Sequence, residues 1–276
     1  MVLPAGAVIV PTARTASLAG RNEMPMCIFT GPVKTVSNTL IFARAGAAGV
    51  QLLVYRMDVE ADAEVAMVLP IPVPAGSGED AVRFIDMADC PEFFSILWPA
   101  WPVPTPASGS ARGAFAKAAA PPLAVQAVGA FEASFVPTIA DFTRLDERFR
   151  LPAGTWEKLP RYRTSGFVVF KLRAGNLSIH PMAFSFPRAD ARTLFFPTVH
   201  IHDGQVHERA GFAHTLIMQP GSPGASVPDG WIESDLIPRQ LADYAKVKDL
   251  VIPDQHLHKL SMHGEFDNRD VVLNLG

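Results

Sequence analysis

The stretch VQLLVYRMDVEADAEVAMVLPIPV, Val50 to Val73, holds two apolar runs separated by Glu60-Ala61-Asp62-Ala63-Glu64. Apolar runs of this length, rich in valine and alternating with polar residues, are strand signals, and a short charged break between two of them reads as a solvated turn. The segment therefore predicts a β-hairpin. Pro70, Pro72 and Pro74 cannot donate to a ladder, so the second strand is expected at a sheet edge or running off it. Similar strand signals appear near Met26, from Val33 to Ala43, and from Val125 to Phe135.

The same pattern returns 115 residues further on, where Val54-Tyr55-Arg56-Met57 aligns with Val169-Phe170-Lys171-Leu172. Without a gap, Met67 then falls on Met182, Leu69 on Phe184, Ile71 on Phe186 and Pro72 on Pro187. The expected fold is mainly β: antiparallel, sandwich-like, built of two related lobes with a few short helices. Residues 1–98 are expected to form an N-terminal β-rich lobe and 123–276 a C-terminal one. The Pro- and Ala-rich segment 99–122 reads as a linker or surface loop between them. One short helix is expected over Gly78 to Asp89, with Val82, Phe84, Ile85 and Met87 apolar. Another follows Thr138, which has capping-box spacing to Asp141 and precedes an apolar face of Ile139, Phe142, Leu145 and Phe149.

Composition narrows the function classes. The net charge is −3 and no run of Lys or Arg occurs, so no nucleic-acid partner is expected. No stretch of about 18 apolar residues occurs, so no membrane span is expected either. The segment MVLPAGAVIVPTAR has no basic residue before Arg14 and is interrupted by Pro4 and Pro11. It reads as no export signal, which makes the cytoplasm the expected compartment and reduced thiols the expected state of Cys27 and Cys90. Neither a G-x-S-x-G elbow, a Walker loop nor a G-x-G-x-x-G turn is present.

Histidine placement is the remaining chemical signal. All eight histidines lie between His180 and His263, and four form the H-x-H pairs His200/His202 and His256/His258. In LFFPTVHIHDGQVHERAG, Leu194 to Gly211, Asp203-Gly204 has the composition of a two-residue hairpin turn. That turn sets His202 opposite Gln205 and His200 opposite His207, so His200, His202 and His207 share one face. Three imidazoles with an open fourth position suit a catalytic zinc, and copper or iron are alternatives. His214 can replace His207 if the turn is longer, and His256 and His258 complete the same centre or form a second. Asp203 and Glu208 are the nearest carboxylates for proton transfer.

The leading expectation is a metal-dependent enzyme, hydrolytic or oxidative, acting on a small-molecule or peptide-like substrate. The alternative is a non-catalytic metal- or protein-binding β module that uses an exposed sheet edge and the tryptophan loop WPAWP, Trp98 to Pro102. The choice between them turns on whether the imidazoles converge.

Overall fold

The computed structural model describes residues 27–101, 126–128, 131–152, 154–178, 180–201, 206–222 and 224–276. Five strands precede the Pro/Ala segment: β1 (Cys27–Phe29), β2 (Thr35–Ala45), β3 (Val50–Ala61), β4 (Val65–Ile71) and β5 (Arg83–Ile85). After it come β6 (Gln126–Val128), β7 (Phe131–Val136), β8 (Gly166–Leu172), β9 (Gly175–Ser178) and β10 (Met182–Pro187). The last six are β11 (Thr193–Phe196), β12 (His200–Ile201), β13 (Arg209–Gln219), β14 (Ile232–Glu233), β15 (His258–Asp267) and β16 (Val271–Asn274).

These strands make a mainly β fold of antiparallel and mixed sheets. The first sheet runs β12-β1-β4-β8-β7-β6. The second runs β14-β15-β13-β2-β3-β10-β5, with β9 also paired to β3, and β11 and β16 form a small ladder of their own. Parallel pairing occurs at β1·β12 and β2·β13. Both sheets take strands from either side of 99–122, so the two halves of the chain are interleaved. Of that segment, residues 102–122 lie outside the described residues.

The predicted hairpin over Val50 to Val73 is corrected. β3 and β4 do form, but they belong to different sheets: β3 lies between β2 and β10, and β4 lies between β1 and β8. Both edges of β3 are already occupied, so the charged turn carries the chain across the sandwich instead of back along the same sheet. Alternate side chains of both strands then meet in one layer: Leu53, Tyr55 and Met57 from β3 face Met67, Leu69 and Ile71 from β4. Among the described residues, β1 pairs only with Met67 and Val68, and Pro70 has its ladder partner in β8 alone.

The echo between the halves has a structural counterpart. β4 pairs with β8 and β3 pairs with β10, both antiparallel. Under the shift of 115 residues, the partners Met67 and Phe170 map onto Met182 and Tyr55, which are partners in the other ladder. The two ladders therefore share one register, with the sheets exchanged.

The central strands of each sheet are buried on both faces. Behind the second sheet, Phe42, Leu52, Val54 and Ile217 pack against the short helices α1 (Phe93–Leu97) and α2 (Tyr244–Val247) and their flanking turns. Behind the first, Ala66, Val68, Phe167 and Val169 pack beneath 3-10 turns that contribute Phe142, Phe149 and Tyr162. The turn after Thr138 forms where expected, as a 3-10 helix over Ile139–Arg144 with Thr138 Oγ1 donating to Asp141 at 2.8 Å. The helix expected over Gly78 to Asp89 does not form. Arg83–Ile85 is instead edge strand β5, with Phe84 turned toward the central layer and Ile85 toward the other.

Two buried glutamines replace missing ladder bonds. Gln51, fully buried on β3, donates to the Phe195 carbonyl at 2.6 Å and accepts from the Phe195 amide at 3.0 Å, which ties β11 to the second sheet. Gln219 does the same for the turn before β15, donating to Ile252 and Gln255 carbonyls and accepting from the Ile252 amide. Gln51→Leu leaves both backbone groups of Phe195 buried and unpaired, so it is expected to destabilise the protein by about 2–4 kcal/mol. Urea unfolding at unchanged m-value measures this, and a loss below about 0.5 kcal/mol contradicts the clamp.

Candidate functional site

The described part of the predicted histidine hairpin is arranged differently from its expected register. β12 pairs in parallel with β1, Cys27 opposite His200 and Ile28 opposite Ile201. Its other edge is taken by a side chain: His200 donates its amide to Asn268 Oδ1 at 2.7 Å, and Asn268 Nδ2 donates to the His200 carbonyl at 2.8 Å. Asn268 Nδ2 also reaches the His207 carbonyl at 3.0 Å. Asn268 thus stands between the two arms that a tight turn was expected to pair directly. His202 and Asp203 lie outside the described residues.

The remaining expected ligands do not converge on one centre. His200 is buried in the central layer, its ring stacked 4.1 Å from Phe212 and set edge-on to His214 at 5.2 Å. His214 projects from β13 into the same layer and is also buried. His207 and Glu208 are exposed, and the Glu208 carbonyl accepts from the Asn268 amide. His256 Nδ1 lies 3.4 Å from Ser234 Oγ, while His258 Nε2 lies 4.0 Å from the Glu233 carboxylate. Among the described residues, no group of three or more His, Cys, Asp or Glu side chains is placed to hold a metal ion. The metal-dependent enzyme reading, with its zinc or copper centre, is overturned by that dispersal. The small-molecule or peptide-like substrate expected over an open coordination position is corrected with it.

A polar clamp fixes the neighbourhood of these rings. Asp270 is half-buried and accepts from Tyr162 Oη at 2.6 Å and from the amides of Thr198 and Val199 at 2.9 and 3.1 Å. Burial pushes its carboxyl above the usual range despite those three donors. Cys90 is a buried thiol, pushed up by burial and by Glu92, which argues against a nucleophilic role.

The surface offers a second arrangement. Trp98 and Trp101 flank Lys259, whose Nζ lies 4.8 and 4.7 Å from their ring centroids. Trp101 Nε1 donates to the Ile232 carbonyl at 3.1 Å, and Ile232 is the register partner of Lys259. Three large hydrophobic side chains are exposed among the described residues: Trp98 (44%), Ile232 (60%) and Val272 (50%). Two of the three belong to this one face, at the β14 end of the second sheet. The tryptophans were visible in the sequence as a docking loop. Lys259 and Ile232 were not, because nothing local marks a lysine that a distant loop encloses.

No protein-family model matches the sequence, and no curated protein is similar to it. Among solved structures, it is similar to baculovirus P35, at a TM-score of 0.48 and 13% identity over 90% of this chain and 99% of that one. It is also similar to a mutated baculovirus P35 after caspase cleavage (0.44, 12%, 87% and 98%). The P35 fold recurs in a caspase-8/P35 complex (0.42, 12%, 87% and 96%), where the partner named is a protein. At these values the likenesses assign neither a family nor a residue role. No helix among the described residues is long and apolar enough to cross a membrane.

The buried imidazoles make stability depend on pH. Burial, helped by nearby His200 and His263, holds His214 well below its ordinary value, and burial also lowers His258. The neutral ring is the folded form, so the unfolded chain binds more protons below about pH 6.5. Stability is full above that pH and falls as the solution is acidified through it, by up to about 1.4 kcal/mol per pH unit for each such group. Urea unfolding between pH 5 and 8 should show this decline, with a shallower slope in His214→Met. Identical slopes in the two proteins contradict the assignment.

Proposed function

We propose that this chain is a non-catalytic protein-binding β module whose docking face is formed by Trp98, Trp101, Ile232 and Lys259. The observation that carries the reading is the clustering of exposed Trp98 and Ile232 around a lysine held between two indoles. Scattered exposed hydrophobics are ordinary on a protein surface, whereas a contiguous aromatic and aliphatic group on rigid elements is characteristic of interaction sites. The face is rigid because Trp98 and Ala100 belong to a 3-10 turn continuous with α1. The Ala100 carbonyl there accepts from the amides of Asp235 and Leu236. Those bonds lock the tryptophan turn to the segment following β14. A tryptophan anchor held this way loses little entropy when it docks.

The reading is tested with displayed random peptides selected on the purified protein, using Trp98→Ala/Ile232→Asp as the comparison. Selected clones should bind the double variant at least about tenfold more weakly, while its unfolding free energy stays within about 0.5–1 kcal/mol of wild type. Clones that bind both proteins equally place the docking surface elsewhere.

A further inference from the structure

We infer that Lys259 is the recognition point of this face and that its partner is a protein segment presenting an Asp or Glu side chain between apolar residues. This rests on the protein-binding reading above and specifies its partner. The two indoles around Lys259 attract its charge through their ring faces, yet they accept none of the three hydrogen bonds an ammonium donates in water. No ion pair to Lys259 occurs among the described residues. Lys34, Lys171 and Lys246, by contrast, each hold a carboxylate.

The strand geometry turns the adjoining acid of β14 away. Glu233 follows Ile232 on β14, so its side chain leaves the opposite face of the sheet, and its carboxylate lies 4.0 Å from His258. Apolar groups frame the ammonium among the described residues: Ile232 across the ladder and Trp98 above it. A carboxylate entering that frame is screened from water on several sides, where a charge-assisted hydrogen bond is stronger than at an open surface. Burial lowers the Lys259 ammonium from its ordinary value, consistent with a cation already partly stripped of water. β14 ends its sheet but is two residues long, which leaves little edge for strand addition. Recognition therefore runs through side chains.

The test uses two random peptide libraries, one fixed at its centre as Asp or Glu and the other as Asn or Gln. They are selected on the wild-type protein and measured on Lys259→Met and Lys259→Arg. The inference expects acid-centred binders at least about tenfold tighter than amide-centred ones. That preference should vanish in Lys259→Met and persist in Lys259→Arg, with all three proteins equally resistant to urea. Binders that need Trp98 and Ile232 but ignore the acid overturn the inference and leave the docking reading standing. Binders indifferent to Trp98→Ala/Ile232→Asp overturn both. A concentration-dependent dimer that dissociates in Ile232→Asp assigns the face to a second copy of the chain and also overturns the inference.

Discussion

The fold depends on the chain changing sheets between Ala61 and Val65. β3 has β2 on one edge and β10 on the other, so the next strand has no place beside it. Crossing the sandwich places consecutive strands face to face, and each contributes every second side chain to the central layer. Because outer layers cover both sheets, the other side chains are buried as well. This is why all seven residues of β4 are buried, and why β3 and β8 carry apolar residues on both faces. The matched ladders β4·β8 and β3·β10 then close the sandwich from both sides with one register.

Much of that was legible as local pattern. Strand positions followed from apolar runs and turn residues, while the offset between the halves, read as one hairpin repeated in two lobes, instead relates two ladders that run between the halves. Pairing was not legible, since a charged turn of five residues suits a hairpin and a crossing equally well. Gly78 to Asp89 failed for a related reason. Val82, Phe84, Ile85 and Met87 satisfy a helical spacing, but the edge of β10 was open beside them and a period of two won.

The histidine region failed through a contact far away in sequence. Asp203-Gly204 is a sound turn signal, yet the edge of β12 is satisfied by Asn268, a residue no local rule connects to His200. Once Asn268 and Asp270 hold residues 198–200, His200 turns inward to Phe212 and His214, while His207 stays at the surface. The clustering of histidines along the chain thus reflects one heavily used half, whose rings serve separate ends. Lys259 shows the converse. Its neighbours in sequence say little, and its character comes from a tryptophan turn that arrives from the other half of the chain.

Interstrand proton contacts in isotope-labelled protein test the sheet crossing most directly. The account predicts backbone contacts between Val68 and Val169 and between Leu53 and Phe184, matching the two ladders. Contacts instead joining Val59 to Ala66 across the charged turn would restore a simple hairpin and contradict the crossing.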